Sequence, residues 1–391
     1  MTEINFPSWP YYSPEEINKV LDILSSGKVN QWTGDQCKKF ENEFAKWSGV
    51  KYSVAVANGT VALETALKCL DLKVGSEVIV PSKSFIATAS AVVNCGLKPI
   101  FADIDMDSQN ISAETIRPLI SNKTKAFICV HLAGWPCEMD EIIDLAKKNN
   151  IFVIEDCAQA HGATYRTLPV GSIGHIGCWS FCQDKIISTA GEGGMITTND
   201  EKLYKKIWSF KDHGKSYDLS LRPNKSNRFI WLHETIGTNY RMTEIQAAIG
   251  RIQLKKIYSW HKLRKKYANM IWTLALSIKG LRVPIVPEYL EHAFYKCYVF
   301  VEIEKIKPNW SRDRIIDEIN KNGVPCFSGS CSEIYLENAF KKNNLSPKNR
   351  NPNAKKLGET SIVFLIHPTM EESHILIMLK VIKEIMIMAV K

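Results

Sequence analysis

The sequence predicts an α/β protein with seven strands in one large domain and a smaller C-terminal α+β domain. Over the first two-thirds of the chain, short β-branched runs alternate with helix-period patterns, which is the signature of an α/β sheet. After Leu254 the pattern changes to a long charged, Trp-containing helix, and the 391 residues are enough for more than one lobe.

Taken in order, residues 1–20 read as an N-terminal arm, 21–259 as the large domain and 260–391 as the small one. The expected strands are Ser53–Ala57, Glu77–Val80, Pro99–Ala102, Ala126–His131, Phe152–Glu155, Gly177–Phe181 and Met195–Thr198. Helical periodicity lies between them at Thr60–Cys69, Ala87–Cys95, Met139–Asn149 and Glu201–Ser209. A helix over Glu244–Leu254 follows, then another from Tyr258 to about Leu274, a strand-like run Tyr295–Ile303 and a helix Arg312–Asn320. A Gly/Pro/Cys/Ser-rich loop, Gly323–Ser332, and an amphipathic closing helix over Ile375–Val390 complete the chain.

Composition narrows the function classes. The net charge of +9 comes from lysine pairs such as Lys38–Lys39 and Lys265–Lys266 at helix-like spacing, without an arginine run. Such pairs describe solvated faces and give no nucleic-acid signature. Eleven cysteines without a CxxC pair or a Cys/His zinc spacing read as reduced thiols in a cytoplasmic chain with no metal. No signal peptide opens the sequence, and Lys380, Lys383 and Glu384 interrupt its most apolar segment, so no membrane span is expected.

Three segments carry chemistry. Ile154-Glu-Asp156-Cys-Ala-Gln159 puts a carboxylate at a strand's C-terminal end, and Trp179-Ser180-Phe181-Cys-Gln-Asp-Lys185 sends a lysine out of the next strand, 29 residues on. Over one crevice that pair suits an aromatic cofactor with a ring nitrogen and an aldehyde: the aspartate keeps the ring nitrogen protonated and the lysine forms a Schiff base. In Asn58-Gly59-Thr60 a strand runs into a helix, whose free N–H groups and the Thr60 hydroxyl make a phosphate cradle. Each motif alone has an ordinary reading: a surface lysine, a strand-end cap, a helix N-cap. No GxxxxGK[ST] or GxGxxG motif competes with them.

Together these segments resemble the DegT/DnrJ/EryC1/StrS nucleotide-sugar aminotransferases, pyridoxal-phosphate (PLP) enzymes of fold type I. The resemblance runs from Trp32-Thr-Gly34 through Val130-His-Leu-Ala-Gly134 and the segments above to Asp212-His-Gly214 and Gly237-Thr-Asn-Tyr-Arg-Met-Thr-Glu244. It implies an aspartate aminotransferase-like fold with a large, mostly parallel seven-stranded sheet. Residue by residue it implies that Lys185 binds the cofactor aldehyde and Asp156 partners the pyridinium. Gln159 lies near the phenolic oxygen; Gly59, Thr60 and Ser180 hold the phosphate; Phe85 stacks on the ring. It also implies that Asn239 reaches the phosphate of a neighbouring subunit, making a homodimer with shared sites, and that Lys185 excludes the dehydratase variant that carries histidine there.

The resemblance further implies that glutamate leaves its amino group on the cofactor as pyridoxamine phosphate, from which a nucleotide-linked 4-keto-6-deoxyhexose takes it. UDP-2-acetamido-2,6-dideoxy-4-ketohexose, on a bacillosamine-type route in surface-polysaccharide synthesis (lipopolysaccharide O-antigen or capsule), is the acceptor expected; GDP- and dTDP-keto sugars and 3-amination stay open. A non-catalytic PLP-binding regulator and a PLP lyase or decarboxylase are the competing classes. His131, His161 and His213 read as structural, and Asp184 as a loop hydrogen-bonding residue next to Lys185.

Overall fold

The computed structural model describes residues 5–222 and 230–391. Part of the Lys215–Glu234 loop, which the sequence marks as an excursion toward a neighbour, lies outside the described residues.

Strands β1 (Tyr52–Val56), β2 (Glu77–Pro81), β3 (Lys98–Ala102), β4 (Thr124–Val130), β5 (Phe152–Asp156), β6 (Ile176–Ser180) and β7 (Gly194–Thr198) form one sheet in the order β1-β7-β6-β5-β4-β2-β3. Only β7 runs antiparallel to its neighbours, pairing Val56 with Gly194 and Ser180 with the same glycine. The parallel strands are nearly continuous apolar runs because helices cover both faces. The observed strands match the expected ones to within a residue or two.

Helices α1 (Pro14–Ser26), α2 (Gln36–Trp47), α3 (Gly59–Cys69), α4 (Ala87–Asn94), α5 (Met139–Asn149) and α6 (Glu201–Lys211) surround the sheet. The two helices expected around Glu244–Leu254 and Tyr258–Leu274 are one helix, α7 (Glu244–Leu276), and position 259/260 falls inside it. The residues between the two expected helices, Lys255, Lys256 and Ile257, are good helix formers or buried core, so nothing there breaks the turn. A capping box starts α7: the Gln246 N–H donates to Thr243 Oγ1 (3.3 Å) and the Thr243 N–H to Gln246 Oε1 (2.8 Å). Glu244 then accepts from the Gln36 and Cys37 N–H groups (2.5 and 3.0 Å), closing the orphaned end of α2. Gly250 lets the two helices touch, since a Cβ there would lie 2.5 Å from Phe40 Cζ.

A second, antiparallel sheet holds β8 (Leu281–Arg282), β9 (Cys297–Val301), β10 (Cys326–Phe327) and β11 (Ser361–Phe364) in the order β8-β9-β11-β10. Helices α8 (Arg312–Lys321) and α9 (Glu372–Ala389) pack with the C-terminal half of α7 on its core. The strand-like run Tyr295–Ile303 is trimmed at both ends, its last residue entering a 3-10 turn. The N-terminal segment reaches both lobes: Phe6 packs on the second core, while the Trp9 Nε1–H donates to the Lys185 carbonyl (2.9 Å). No helix among the described residues is long and apolar enough to cross a membrane.

Candidate active site

The C-terminal ends of β4, β5 and β6 stand in register, Val130 beside Asp156 and Asp156 beside Cys178, so the carboxylate opens onto the crevice where an α/β sheet binds ligands. There Asp156, Gln159, Ser180, Lys185, Gly59, Thr60 and Phe85 line one cavity of about 490 Å3. A second cavity of about 570 Å3 adjoins it, sharing Phe85, Gln159, Asp184 and Lys185, and is closed by Tyr295, Lys296, Tyr298 and the Phe327–Cys331 loop of the small lobe.

Asp156 is buried, with its Oδ1 accepting from the Ala158 N–H (3.2 Å) and its Oδ2 from the Thr88 hydroxyl (3.0 Å). Burial pushes its carboxyl above the usual range, opposed by those two hydrogen bonds and by the charge of Lys185. A cation placed against it inside the cavity would be strongly held. Gln159 Oε1 accepts from the Ala133 N–H (2.7 Å), which leaves its amide N–H2 as the end available to the cavity.

At the other end, Asn58 caps α3 by accepting from the Val61 N–H (3.0 Å), while the Gly59 and Thr60 N–H groups have no partner among the described residues. A Cβ on Gly59 would lie 2.6 Å from Ser180 Cβ, so only glycine lets β6 and the helix start close into a cradle. An anion there meets two N–H donors, two hydroxyls and the positive end of α3, each charge-assisted bond contributing about 1.5–3 kcal/mol.

Lys185 is held at its backbone by the Cys182 carbonyl (3.0 Å) and by Trp9, and its Nζ lies 3.4 Å from Tyr295 Oη and from Asp184 Oδ1. The Tyr295 hydroxyl in turn donates to Asp184 Oδ2 in a short bond. Burial would raise the Asp184 carboxyl, but the Lys185 charge, Tyr295 and Lys296 carry it below the usual range. Asp184 thus hydrogen-bonds within its loop environment, as expected, and is also a counter-ion of the Lys185 ammonium. Sequence reasoning missed Thr88, Tyr295, Lys296 and Trp9. Thr88 alone had a signal, lying one helical turn beyond Phe85 on the face that meets Asp156.

Asn239 is the one candidate that does not line this cavity. It is exposed, in a segment stitched to the Asp212-His-Gly214 turn: His213 N–H to the Thr238 carbonyl (3.0 Å), and Tyr240 N–H to that of Lys211 (3.0 Å). Gly214 has a φ of +82°, and a Cβ on it would strike the Thr235 carbonyl. Buried Asp212 ties the segment down through Arg241 Nη1 (2.7 Å) and Lys215 Nζ (3.6 Å).

The histidines have structural partners or none. His131 Nε2 lies 3.0 Å from Glu155 and its Nδ1 accepts from the Cys137 N–H (3.0 Å). Glu155 accepts further from the Gly171, Ile173 and Gly174 N–H groups, so the His131, Glu155 and Cys157 group has its nitrogens and carboxylate oxygens already committed. His161 is buried against Trp179 and Phe181, and burial lowers it to about 3, where it is no base at neutral pH. His213 is exposed.

The DegT/DnrJ/EryC1/StrS aminotransferase family model matches residues 10–383. GDP-perosamine synthase of Caulobacter vibrioides is 45% identical over 317 residues, 81% of each chain. The UDP-N-acetyl-3-dehydro-α-D-glucosamine 3-aminotransferase of Acidithiobacillus ferrooxidans is 37% identical, over 72% of this chain and 71% of its own. Among solved structures, an aminotransferase from Psychrobacter cryohalolentis is 51% identical with a TM-score of 0.95, covering 97% of this chain and 98% of its own. DesV of S. venezuelae, solved with a ketimine intermediate, is 27% identical with a TM-score of 0.85 over 95% and 94% of the two chains. The match of family model, fold and cavity leaves one conclusion: the chain belongs to the DegT/DnrJ/EryC1/StrS aminotransferase family, the PLP-dependent sugar aminotransferases of fold type I.

Proposed function

We propose that the protein transfers the amino group of glutamate to a nucleotide-linked 4-keto-6-deoxyhexose, with UDP-2-acetamido-2,6-dideoxy-4-ketohexose as acceptor, in surface-polysaccharide synthesis. The observation that carries the reading is the single cavity with buried Asp156 at one side, Lys185 facing it and unpartnered Gly59 and Thr60 N–H groups at its end. These residues fit PLP: a buried carboxylate for the ring nitrogen, an amine for the aldehyde, a cradle for the phosphate and Phe85 for the ring face. The adjoining cavity of about 570 Å3 has room for a hexose.

PLP, held by these residues, would supply an aldehyde for the donor amine and an electron sink for the α-carbon. The protein's own groups do the rest. Asp156, fixed by Thr88 and Ala158, holds the proton on the ring nitrogen. The Lys185 amine, freed when the donor arrives, takes the proton from the donor α-carbon and delivers it to the cofactor's C4′. Gln159 offers its N–H2 to the phenolic oxygen, and Gly59, Thr60 and Ser180 fix the phosphate so that the reacting bonds stay aligned. The second half-reaction runs these transfers in reverse on the keto carbon of the sugar.

A homodimer with shared sites completes the proposal. Asn239 is exposed and lies outside the lining of its own cavity, Phe85 is 65% exposed and Ile236 95%, and α1 presents exposed Ile17, Leu21 and Leu24. A second copy covering these residues would bring its Asn239 to the phosphate. The large lobe is taken as 21–259 and the small as 260–391, with 1–20 as an arm, in a cytoplasmic enzyme supplied with nucleotide sugars. The 45% identity to a GDP-perosamine synthase favours a second acceptor, a GDP-linked 4-keto sugar.

UDP-, GDP- and dTDP-linked 4-keto and 3-keto sugars offered with glutamate, the product position read by NMR, test the reading. Amination at C4 of the UDP-linked acetamido sugar is expected. Preference for the GDP sugar, or amination at C3, would replace the acceptor, and an unchanged cofactor spectrum with glutamate would overturn the transferase reading.

A further inference from the structure

Lys296 is the cation of the second cavity that the mechanism leaves without work. Its Nζ donates to no acceptor within 3.5 Å among the described residues; its nearest counter-charge, Asp184 Oδ2, is 3.7 Å away and the Tyr295 ring centroid 4.8 Å. That one carboxylate also takes the Tyr295 hydroxyl and faces Lys185 at 3.4 Å, so two ammonium groups share it. Buried Arg264, whose Nη1 donates to the Ile366 carbonyl (2.5 Å) and more distantly to those of Tyr295 and Phe294 (3.4 and 3.5 Å), with Nε and Nη2 unpartnered among the described residues, adds to the positive field. The wall beside Lys185 therefore carries more cationic charge than Asp184 alone balances, while the cavity's other carboxylate, Glu337, is exposed and meets Cys331 Sγ (3.9 Å).

We propose that Lys296 binds the α-carboxylate of the amino donor, and that Asp184 serves as its counter-ion while the sugar occupies the cavity. The inference rests on glutamate being the donor. An anion bonded to Lys296 lies next to the carboxylate that also holds Lys185, hence next to the exchanging amine. An α-carboxylate is one bond from the reacting carbon and fits that position. A nucleotide diphosphate is separated from the keto carbon by the whole hexose ring and would lie farther out. The same pair answers a problem of the double reaction, in which one cavity must take a charged amino acid and then a hexose without charge at that position. A lone half-buried lysine would be left uncompensated in the second half; Asp184 prevents that.

Equilibrium titration of the PLP-loaded protein with glutarate, and separately with UDP, tests this without turnover. Lys296→Met is expected to weaken glutarate binding about 30-fold or more and leave UDP binding within threefold, Lys296→Arg to restore most of the glutarate affinity, and Asp184→Asn to tighten it. Melting temperatures of the variants report folding, and the arginine variant keeps the test alive should the methionine one unfold. Loss of UDP rather than glutarate affinity would make Lys296 a diphosphate anchor and overturn the proposal, as would unchanged glutarate binding or none by the wild type. The wild-type spectrum separates the two readings: a shift with glutamate combined with Lys296-independent glutarate binding defeats this inference alone, whereas no shift with glutamate defeats the donor assignment.

Discussion

The Lys185 amine lies 3.4 Å from the Tyr295 hydroxyl, although 110 residues separate them in the chain. Because Asp184 fixes that hydroxyl, the amine has a defined resting place on the side of the cavity away from Asp156. Tyr295→Phe is expected to lower kcat roughly 10–100-fold through misplacement of the amine, with KM for glutamate little changed. Steady-state kinetics check it; a lower melting temperature with unchanged kcat would assign Tyr295 to packing.

Lys185→Arg should abolish turnover and leave the fold intact, since arginine keeps the charge but cannot condense with an aldehyde at neutral pH. Borohydride reduction of the wild type, followed by peptide mapping, should find the pyridoxyl label on Lys185. A label on Lys296 or any other lysine would move the reacting amine elsewhere.

Local patterns made most of the large lobe legible. The apolar strands ending at Asp156 and Ser180 and the Asn58-Gly59-Thr60 helix start are each contiguous in sequence, and their ends line one cavity. The Lys185 environment was not legible. Tyr295 and Lys296 sit in a run that reads as an ordinary β-strand, and Trp9 in an arm without periodicity; only tertiary packing brings them to the lysine. The continuity of α7 was missed for a different reason. Its exposed face around Tyr258 and Ser259 changes composition, while the inward stripe runs on from Leu254 and Ile257 through half-buried Trp260, packed on Trp9, to Arg264 and Ala268.

Asp156→Asn is expected to slow the glutamate half-reaction roughly 10²–10⁴-fold, because the amide cannot hold the ring-nitrogen proton by charge. Single-turnover absorbance measures it directly. Thr88→Val, which removes only the hydroxyl on Oδ2, should cost less, about tenfold. Near-normal turnover in the asparagine variant would remove Asp156 from the mechanism.

Glu155 gives a stability prediction separate from catalysis. Burial would raise its carboxyl, but the bonds from His131 and from the Gly174 and Gly171 N–H groups carry it below the usual range. A group depressed in the folded state contributes stability above its unfolded pKa, about 4.3, and loses it as pH falls through the lower folded value. Glu155→Gln should therefore lower the melting temperature at pH 7 and make it fall less steeply below about pH 4.5 than in the wild type. Thermal melts across pH 3–7 check the sign; parallel curves for the two proteins would show that the carboxylate's charge is not what these bonds stabilise.

The exposed Asn239 leads to a prediction about assembly. If the asparagine completes the partner's phosphate cradle, each site is built from Lys185 of one chain and Asn239 of the other, and cofactor binding is linked to dimerisation. Mixing inactive Lys185→Ala chains with weakly binding Asn239→Ala chains then yields heterodimers in which one site carries both lesions and the other carries neither. Each heterodimer regains one intact site, about half the activity of a wild-type dimer, and random exchange places about half of all chains in such pairs. The mixture should thus recover to about a quarter of wild-type specific activity after subunit exchange, from parents that are each nearly inactive. Were Asn239 only a turn residue, as its contact with the Arg241 N–H (3.4 Å) would allow, the Asn239→Ala parent would already be active and mixing would add nothing. The recovered activity as a function of mixing ratio separates the two, since shared sites give a maximum at equal amounts and sites built within one chain give a straight line between the parents.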